Sequence, residues 1–154
     1  MPRRTDAHNP SDWLIFPASD LDFVRVAAEK EVSFIAARAK LAEALEKVLK
    51  AELIDLGWEL EKTHDLDRLL QCLRERNTPT ADQADPLCDA LADAYIVDHD
   101  PGFDLDDPDW PKLRHLVRGR GRVARAREKR PVGVKPAIAV SFQNQRMSPI
   151  RPSS

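Results

Sequence analysis

The feature of the sequence that most constrains its fold is a long amphipathic segment at residues 33–56, SFIAARAKLAEALEKVLKAELIDL. Its apolar side chains recur every three or four residues, which is the period of an α-helix with one buried face. The segment consists mainly of Ala, Leu, Glu and Lys, which are strong helix formers, and it ends at Gly57, a residue suited to a helix C-cap. A helix of this length spans about 36 Å. We therefore predict that it is the central helix of a bundle, with Leu45 and Leu49 buried.

Shorter helical patterns flank this segment, and Pro and N-cap residues set their expected bounds. No β-strand is needed before residue 118, although a brief β-prone run, AIAVSF, occurs at 137–142. The sequence thus predicts an all-α protein, an antiparallel up-and-down helical bundle of four to five helices with a disordered basic C-terminal tail. The other predicted helices span about 12–30, 64–77, 87–97 and 109–117. The first of them is kinked: Ser11 caps it, Pro17 interrupts it and Ser19 restarts it. The helix over 87–97 has Pro86 at its start, after a breaker cluster at 77–85.

The charge of the chain is distributed unevenly. The net charge of −2 combines −13 in residues 1–110, from 12 basic and 25 acidic residues, with +11 in residues 111–154, from twelve Lys/Arg and one acid, Glu128. A chain of 154 residues suits one domain, which we place at 11–117, between a flexible tail at 1–10 and a basic, mostly disordered tail at 118–154. Such a basic tail suits salt-sensitive contact with RNA or DNA, or pairing with the acidic bundle.

Cellular location is indicated by the start of the chain and by its cysteines. The sequence shows no signal-peptide pattern and no apolar stretch long enough to span a bilayer, so no membrane association is predicted. Cys72 and Cys88 lie in predicted helices without C-x-x-C spacing, which indicates reduced, buried thiols. These features favour a cytoplasmic protein.

Candidate contact residues lie on the central helix and at the start of the third one. Thr63 is predicted to be the N-cap of the third helix, with His64 as its first residue and Asp65 in its first turn, so this stretch suits a helix start or interface as well as a ligand site. Lys47 and Lys50 share one surface of the central helix. They suit either a solvated stripe paired with Glu43 and Glu46 at i,i+4, or a cationic groove for a nucleotide phosphate or an acidic partner.

Several common sites are absent from the sequence. The Asp-rich stretch at 98–109 departs from an EF-hand because Phe103 stands where that motif needs Gly, and the four histidines lack zinc-site spacing. Neither a Walker loop nor a G-x-S-x-G motif occurs. We therefore predict no metal and no cofactor. Trp13, Trp58 and Trp110 are interpreted as packing anchors.

Four segments follow one another along the chain: DWLIFPASDLDFVRVAAE (12–29), LEKVLKAEL (45–53), THDLDRLL (63–70) and YIVDHDPGFDLDDPDWPKL (95–113). In this order and spacing they resemble HEPN-domain proteins, the "higher eukaryotes and prokaryotes nucleotide-binding" family. The resemblance covers about residues 11–117. It implies a helical bundle that commonly homodimerises and often pairs with a separately encoded minimal nucleotidyltransferase in toxin–antitoxin-like modules. Members with an R-x4-6-H motif are metal-independent ribonucleases.

This sequence departs from the ribonuclease pattern of the family. The one Arg placed four to six residues before a His is Arg3, ahead of His8, in the predicted N-terminal tail. Where many relatives have Tyr-x-x-x-Arg-Tyr-Pro-Gly, this chain has Tyr95-Ile-Val-Asp-His-Asp-Pro-Gly, with His99 at the place of the Arg. No catalytic residue is therefore assigned. The candidate ligand or partner contacts are Lys47, Lys50, His64, Asp65, Tyr95 and His99.

Three functional hypotheses follow from the sequence. The first is a non-catalytic helical interaction module that forms a homodimer and has a nucleotidyltransferase-type protein as its partner. The second is a metal-independent ribonuclease toxin with a divergent site around His64 or His99. The third is a protein that binds RNA mainly through its basic tail.

Overall fold

The fold is built from helices and the turns between them. The structure, a computed structural model, describes residues 2–94, 101–102 and 104–128, and these ranges contain no β-strand. This confirms the predicted all-α, antiparallel up-and-down bundle. Its helices in the described ranges are α1 (Pro10–Trp13), α2 (Ile15–Lys30), α3 (Phe34–Asp55), α4 (Leu66–Glu75), α5 (Pro79–Leu91) and α6 (Trp110–Glu128).

Helix α3 is the centre of the bundle, as its amphipathic pattern predicts. It packs against α1, α2, α4 and α6. Its main apolar ridge repeats every four residues at Leu41, Leu45, Leu49 and Leu53, and all four side chains are fully buried. Leu69 and Leu73 of α4 join the same core. The predicted burial of Leu45 and Leu49 is confirmed.

Residues with left-handed backbone conformations end the helices and permit tight turns. Three residues join α2 to α3, and two of them, Glu31 and Ser33, have φ values of 53° and 56°. At the end of α3, Gly57 has a φ of 81°, as predicted for a C-cap glycine. Its N–H donates to the Ile54 carbonyl at 3.0 Å, and the Trp58 N–H donates to the Leu53 carbonyl at 2.9 Å. These two bonds satisfy carbonyls that the helix itself leaves unpaired.

The first predicted helix is interrupted at a different residue from the one expected. Its two parts, α1 and α2, meet at Leu14, whereas Pro17 and Ser19 lie within α2. Pro17 is tolerated there because the first turn of a helix has no intrahelical partner for its N–H groups. Asn9, and not Ser11, caps α1, since its side chain accepts a hydrogen bond from the Ser11 N–H at 3.0 Å.

The predicted start of the fourth helix at Pro86 is wrong. Helix α5 begins at Pro79, with Thr78 as its N-cap, and Pro86 lies in its interior. Thr78 Oγ1 accepts a hydrogen bond from the Thr80 N–H at 3.2 Å, and Pro79 has the preset φ that favours the first helical position. The Thr-Pro pair therefore starts a helix in what we predicted to be a breaker cluster.

The last helix extends well past its predicted end at Val117. Helix α6 continues to Glu128 and packs against α5, α2 and α3. Val123 is fully buried, and an added Cβ on Gly119 would lie 3.2 Å from Leu87 Cδ1 of α5. Residues 118–128, assigned to the basic tail, are thus part of the bundle. The remainder of that tail, with the β-prone run, lies outside the described residues.

Candidate functional site

A buried ion pair links α3 to the segment that leads into α4. Lys50 Nζ lies 2.6 Å from Glu46 Oε1 and donates to the Thr63 carbonyl at 2.6 Å. Both side chains are more than nine-tenths buried. The Trp13 ring of α1 covers the ammonium group, whose Nζ lies 5.3 Å from the ring centroid. The interpretation of Lys50 as part of a solvated stripe is therefore wrong.

His64 contacts the second oxygen of the same carboxylate. Its Nδ1 lies 3.0 Å from Glu46 Oε2, while most of its side chain remains exposed. A carboxylate at this distance orients an imidazole ring and favours a proton on Nδ1. Lys50 and His64, which are fourteen residues apart in the sequence, thus meet on one carboxylate.

The start of α4 differs from the prediction by two residues. Asp65 is the N-cap, because its Oδ1 accepts a hydrogen bond from the Arg68 N–H at 3.1 Å. Thr63 lies outside the helix, where its Oγ1 accepts from the Asp65 N–H at 3.1 Å. His64 is therefore in the connection before α4 and not at its first helical position. A carboxylate is as good an N-cap as a hydroxyl, so Asp65 can take the role that we predicted for Thr63.

Lys47 belongs to a neighbouring charged cluster that joins α2 to α3. Its Nζ lies 2.6 Å from Asp20 Oδ2 and 5.6 Å from the centroid of the Phe16 ring. Lys40 contacts Glu43 at 2.9 Å, and this hydrogen bond raises the pKa of Lys40 above its ordinary value. The predicted i,i+4 contact from Lys47 to Glu43 is longer, at 3.9 Å.

The two clusters together are close to electrically neutral. Three lysines of α3 face three carboxylates within salt-bridge distance, and His64 adds a cation only when it is protonated. The arrangement can fasten α1, α2 and the α3–α4 connection to the central helix. It does not concentrate positive charge in the way that a phosphate site requires.

Residues before α1 fold back onto the bundle. Arg3 pairs with the carboxylate of Asp12, which is 4% exposed, and the Asp6 N–H donates to the same side chain at 2.8 Å. Trp13 Nε1 donates to the Ala7 carbonyl at 2.8 Å. This segment, which the sequence assigns to a flexible tail, lines an open groove of about 350 Å³ with Lys47 in its wall. Arg3 is therefore held by Asp12.

A larger groove, of about 810 Å³, lies between the first half of α3 and α2. Phe23 and Ile35 line it and are both more than one-third exposed. Ala36 and Ala39 form part of its wall, so the backbone of α3 is open to close approach. Charged groups lie at one side of the groove, where Lys40, Glu43 and Asp20 of the neighbouring cluster contribute to the lining.

One buried site has no counterpart among the sequence predictions. Glu52 of α3 is completely buried, and its Oε1 accepts hydrogen bonds from the Thr78 and Thr80 hydroxyls at 3.2 Å. Arg127 of α6 places its Nε 3.4 Å from Glu52 Oε2. A signal was present in the sequence, because Glu52 lies three residues after Leu49 and so falls on the buried side of α3, next to the apolar ridge.

Two of the predicted contact residues cannot be placed relative to this network. Tyr95 and His99 lie outside the described residues, as do the other residues of 95–100 and residue 103 in the Tyr-to-Trp loop, on which the family resemblance partly rests. In the described ranges, no group of three or more His, Cys, Asp or Glu side chains could hold a metal ion. No helix in the described part of the chain has the length and apolar character needed to cross a membrane.

The three tryptophans and the two cysteines have the structural environments predicted from the sequence. Trp58 is buried in the core, and the Trp110 ring meets Phe34 edge-on with ring centroids 5.0 Å apart. Cys72 and Cys88 are both buried free thiols. Burial raises the pKa of the Cys88 thiol to about 12.

The fold and this central ion-pair network define the class of protein: an all-α bundle built around one long charged and apolar helix. The family model described as HEPN domain matches residues 19–112, which is more than half of the chain. The chain belongs to the HEPN-domain family. Comparison with curated proteins and with solved structures found no match. The matched range includes Lys47, Lys50 and His64 but ends at Lys112, near the start of α6.

Proposed function

We propose that this HEPN-family chain is a non-catalytic helical interaction module that works as a homodimer in the cytoplasm. The observation that carries the proposal is an exposed apolar face on α2 and the start of α3. In this face, five large apolar side chains are each between 39% and 51% exposed. They are Ile15, Phe16, Phe23, Val26 and Ile35.

Helix α2 is apolar on two opposite sides. Leu21 and Val24 point into the core, whereas Phe16, Phe23 and Val26 fall within an arc of roughly 100° on the other side. A helix side that carries several large apolar side chains is normally covered by other protein. The described chain covers only one of these sides, so the other is available to a partner.

A second copy of the chain is the occupant that this face favours. Two of its apolar residues, Phe23 and Ile35, line the 810 Å³ groove, whose small alanines allow a helix to approach closely. The groove also carries both signs of charge, on Lys40 and on Asp20 and Glu43. In a two-fold symmetric contact each copy would present both the apolar side chains and the groove that receives them.

Sedimentation velocity over a range of protein concentrations tests this proposal. The wild-type chain is expected to sediment as a dimer, and the double variant F23D/I35D as a monomer with unchanged helix content. Leu105→Asp is the matched control, because Leu105 is an exposed apolar residue outside the face. A wild-type monomer at all concentrations, or a dimer that survives F23D/I35D, would contradict the proposal.

The finer part of the proposal is the partner of this dimer. Membership of the HEPN family supports a minimal nucleotidyltransferase-type protein as the partner in a toxin–antitoxin-like module. Purification of the tagged chain at native expression level from its host, followed by mass spectrometry, tests this. Recovery of a nucleotidyltransferase-fold protein in near-equal amount is the expected result, and recovery of the chain alone would count against it.

The second candidate is a metal-independent ribonuclease, and the contact between His64 and Glu46 favours it. An imidazole with a carboxylate on Nδ1 can use Nε2 in proton transfer. The candidate takes second place because Lys50 already neutralises that carboxylate, and because no Arg stands four to six residues before His64. Cleavage of RNA without added metal, abolished by His64→Ala in a folded protein, would reverse this order.

A further inference from the structure

The arginines of α6 fall into two sets with different surroundings. The inner arginines, Arg114, Arg120 and Arg127, are partly buried against the bundle. Arg114 Nη2 lies 2.7 Å from Glu31 Oε1 and donates to the Ala28 carbonyl at 2.6 Å. Arg127 pairs with Glu52, as described above. Burial lowers the pKa of Arg120, which the bundle also partly encloses.

The outer arginines are Arg118, Arg122 and Arg125, and all three are exposed. Their spacings of four and three residues, with His115 three residues before Arg118, keep all four side chains within an arc of roughly 80° on the solvent side of α6. Within the described ranges, none of the outer arginines is in a salt bridge. The helix therefore presents a line of cations spaced about 5 Å apart along its axis.

We propose that this outer face of α6 binds the phosphate backbone of single-stranded RNA without sequence preference. Three fixed cations on one helix face can each neutralise one phosphate and release its counterions. The arginines are held in line by a folded helix, which Val123 and Gly119 fasten to the bundle. The site lies beyond residues 19–112, the range that the family model matches.

The composition of this face favours a polyphosphate over a protein partner. No large apolar side chain of α6 is exposed in the described ranges, whereas protein interfaces are anchored by buried apolar and aromatic residues. The apolar face on α2 and α3 has the opposite character. The two surfaces therefore suit different ligands, and RNA binding by α6 does not depend on the proposed homodimer.

The direct test compares RNA affinity across a salt series for the full chain and for R118Q/R122Q/R125Q. The probe is a mixed-sequence RNA of about 20 nucleotides. Its binding is measured by fluorescence anisotropy at salt concentrations from about 50 to 200 mM. Each phosphate contact with a single strand contributes about −0.7 to the slope of log K against log salt. Losing three contacts should therefore reduce the slope by about 2, so that over this interval the wild-type affinity falls about 20-fold more than that of the variant.

Two further variants make the result specific. The control R4Q/K30Q/K62Q removes the same charge from exposed cations elsewhere and should keep the wild-type slope. The variant R118K/R122K/R125K keeps the charge and should keep most of the slope. Truncation after Val117 is unsuitable, because it also removes Val123 and Arg127 from the buried part of the bundle.

Two outcomes would overturn the proposal. One is an equal slope for wild type and R118Q/R122Q/R125Q. The other is binding of polyglutamate that depends on the outer arginines and is at least as tight as that of RNA, which would assign this face to an acidic protein. Circular dichroism and sedimentation are measured on the same samples and should be the same for wild type and variants. They separate a change in RNA binding from failure of the fold or of the dimer.

Discussion

Replacing Arg127 by Ala should destabilise the bundle far more than a typical change near the end of a helix. The substitution removes the cation that faces Glu52 at 3.4 Å and leaves a carboxylate that is fully buried. Removing one partner of a buried ion pair typically costs about 3–5 kcal/mol of stability, because the remaining charge stays buried without that partner.

The surroundings of Glu52 place the expected loss near the low end of that range. Its Oε1 keeps the hydroxyl hydrogen bonds from Thr78 and Thr80, so the carboxylate does not lose all its polar contacts. The Arg127 side chain is itself 18% exposed, and its Nη2 is also 4.0 Å from Asp55. We therefore expect Arg127→Ala to lower the free energy of unfolding by about 3 kcal/mol.

Urea unfolding followed by circular dichroism measures this loss. Arg125→Ala is the matched control on the same helix, and it should stay within about 0.5 kcal/mol of wild type because Arg125 is exposed. In a Glu52→Gln background the effect of Arg127→Ala should shrink, since the side chain at position 52 then carries no charge for Arg127 to face. Equal losses for Arg127→Ala and Arg125→Ala would refute the docking of α6 through this pair.

Three other changes have expected outcomes. Leu49→Ala should lower the free energy of unfolding by about 2–5 kcal/mol in chemical denaturation, because the side chain is fully buried on the ridge of α3. Cys88 has a pKa of about 12 in the folded protein against 9.0 for an ordinary thiol, so the folded state holds a proton that the unfolded chain loses. The free energy of unfolding should therefore fall between pH 9 and 12, by at most about 1.4 kcal/mol per unit from this group, and Cys88→Ala should lack that part of the slope. Purified protein should not cleave RNA above background, and His64→Ala should leave that background unchanged.

The parts of the fold that could be predicted from the sequence are those fixed by one periodic pattern. The ridge at Leu41, Leu45, Leu49 and Leu53 has the same period in the sequence and in the structure, because a single helix decides which side chains share a face. The cap at Gly57 was predictable for a similar reason, since a left-handed residue is needed wherever a helix ends in this way.

The environment of Lys50 could not be derived from α3 alone. Its i,i+4 spacing from Glu46 is compatible with an exposed pair or a buried one. Burial comes from Trp13 on α1 and from the connection before α4, which both cover it. These contacts join segments that are distant in the sequence, so the surface of α3 that they cover was not apparent from the periodicity.

The extension of α6 was missed because its pattern is dominated by Arg. Val123 is the one large apolar residue after Val117 in the described part of this helix, and Gly119 contributes to the packing by its small size. Arg127 completes the inner face by meeting a buried carboxylate that belongs to another helix. The hydrophobic pattern counts Gly119 and Arg127 as neutral or polar and leaves Val123 isolated, so it places the end of the helix too early.

The central claim, that the apolar face of α2 and α3 joins two copies of the chain, is tested most directly by isotope-filtered nuclear Overhauser spectroscopy. A sample mixed from labelled and unlabelled chains reports only contacts between copies. The account predicts intermolecular cross-peaks between the Phe23 ring or the Ile35 methyl groups and residues of the same face. Cross-peaks confined to α4 and α5, or none in a sample that sediments as a dimer, would contradict it.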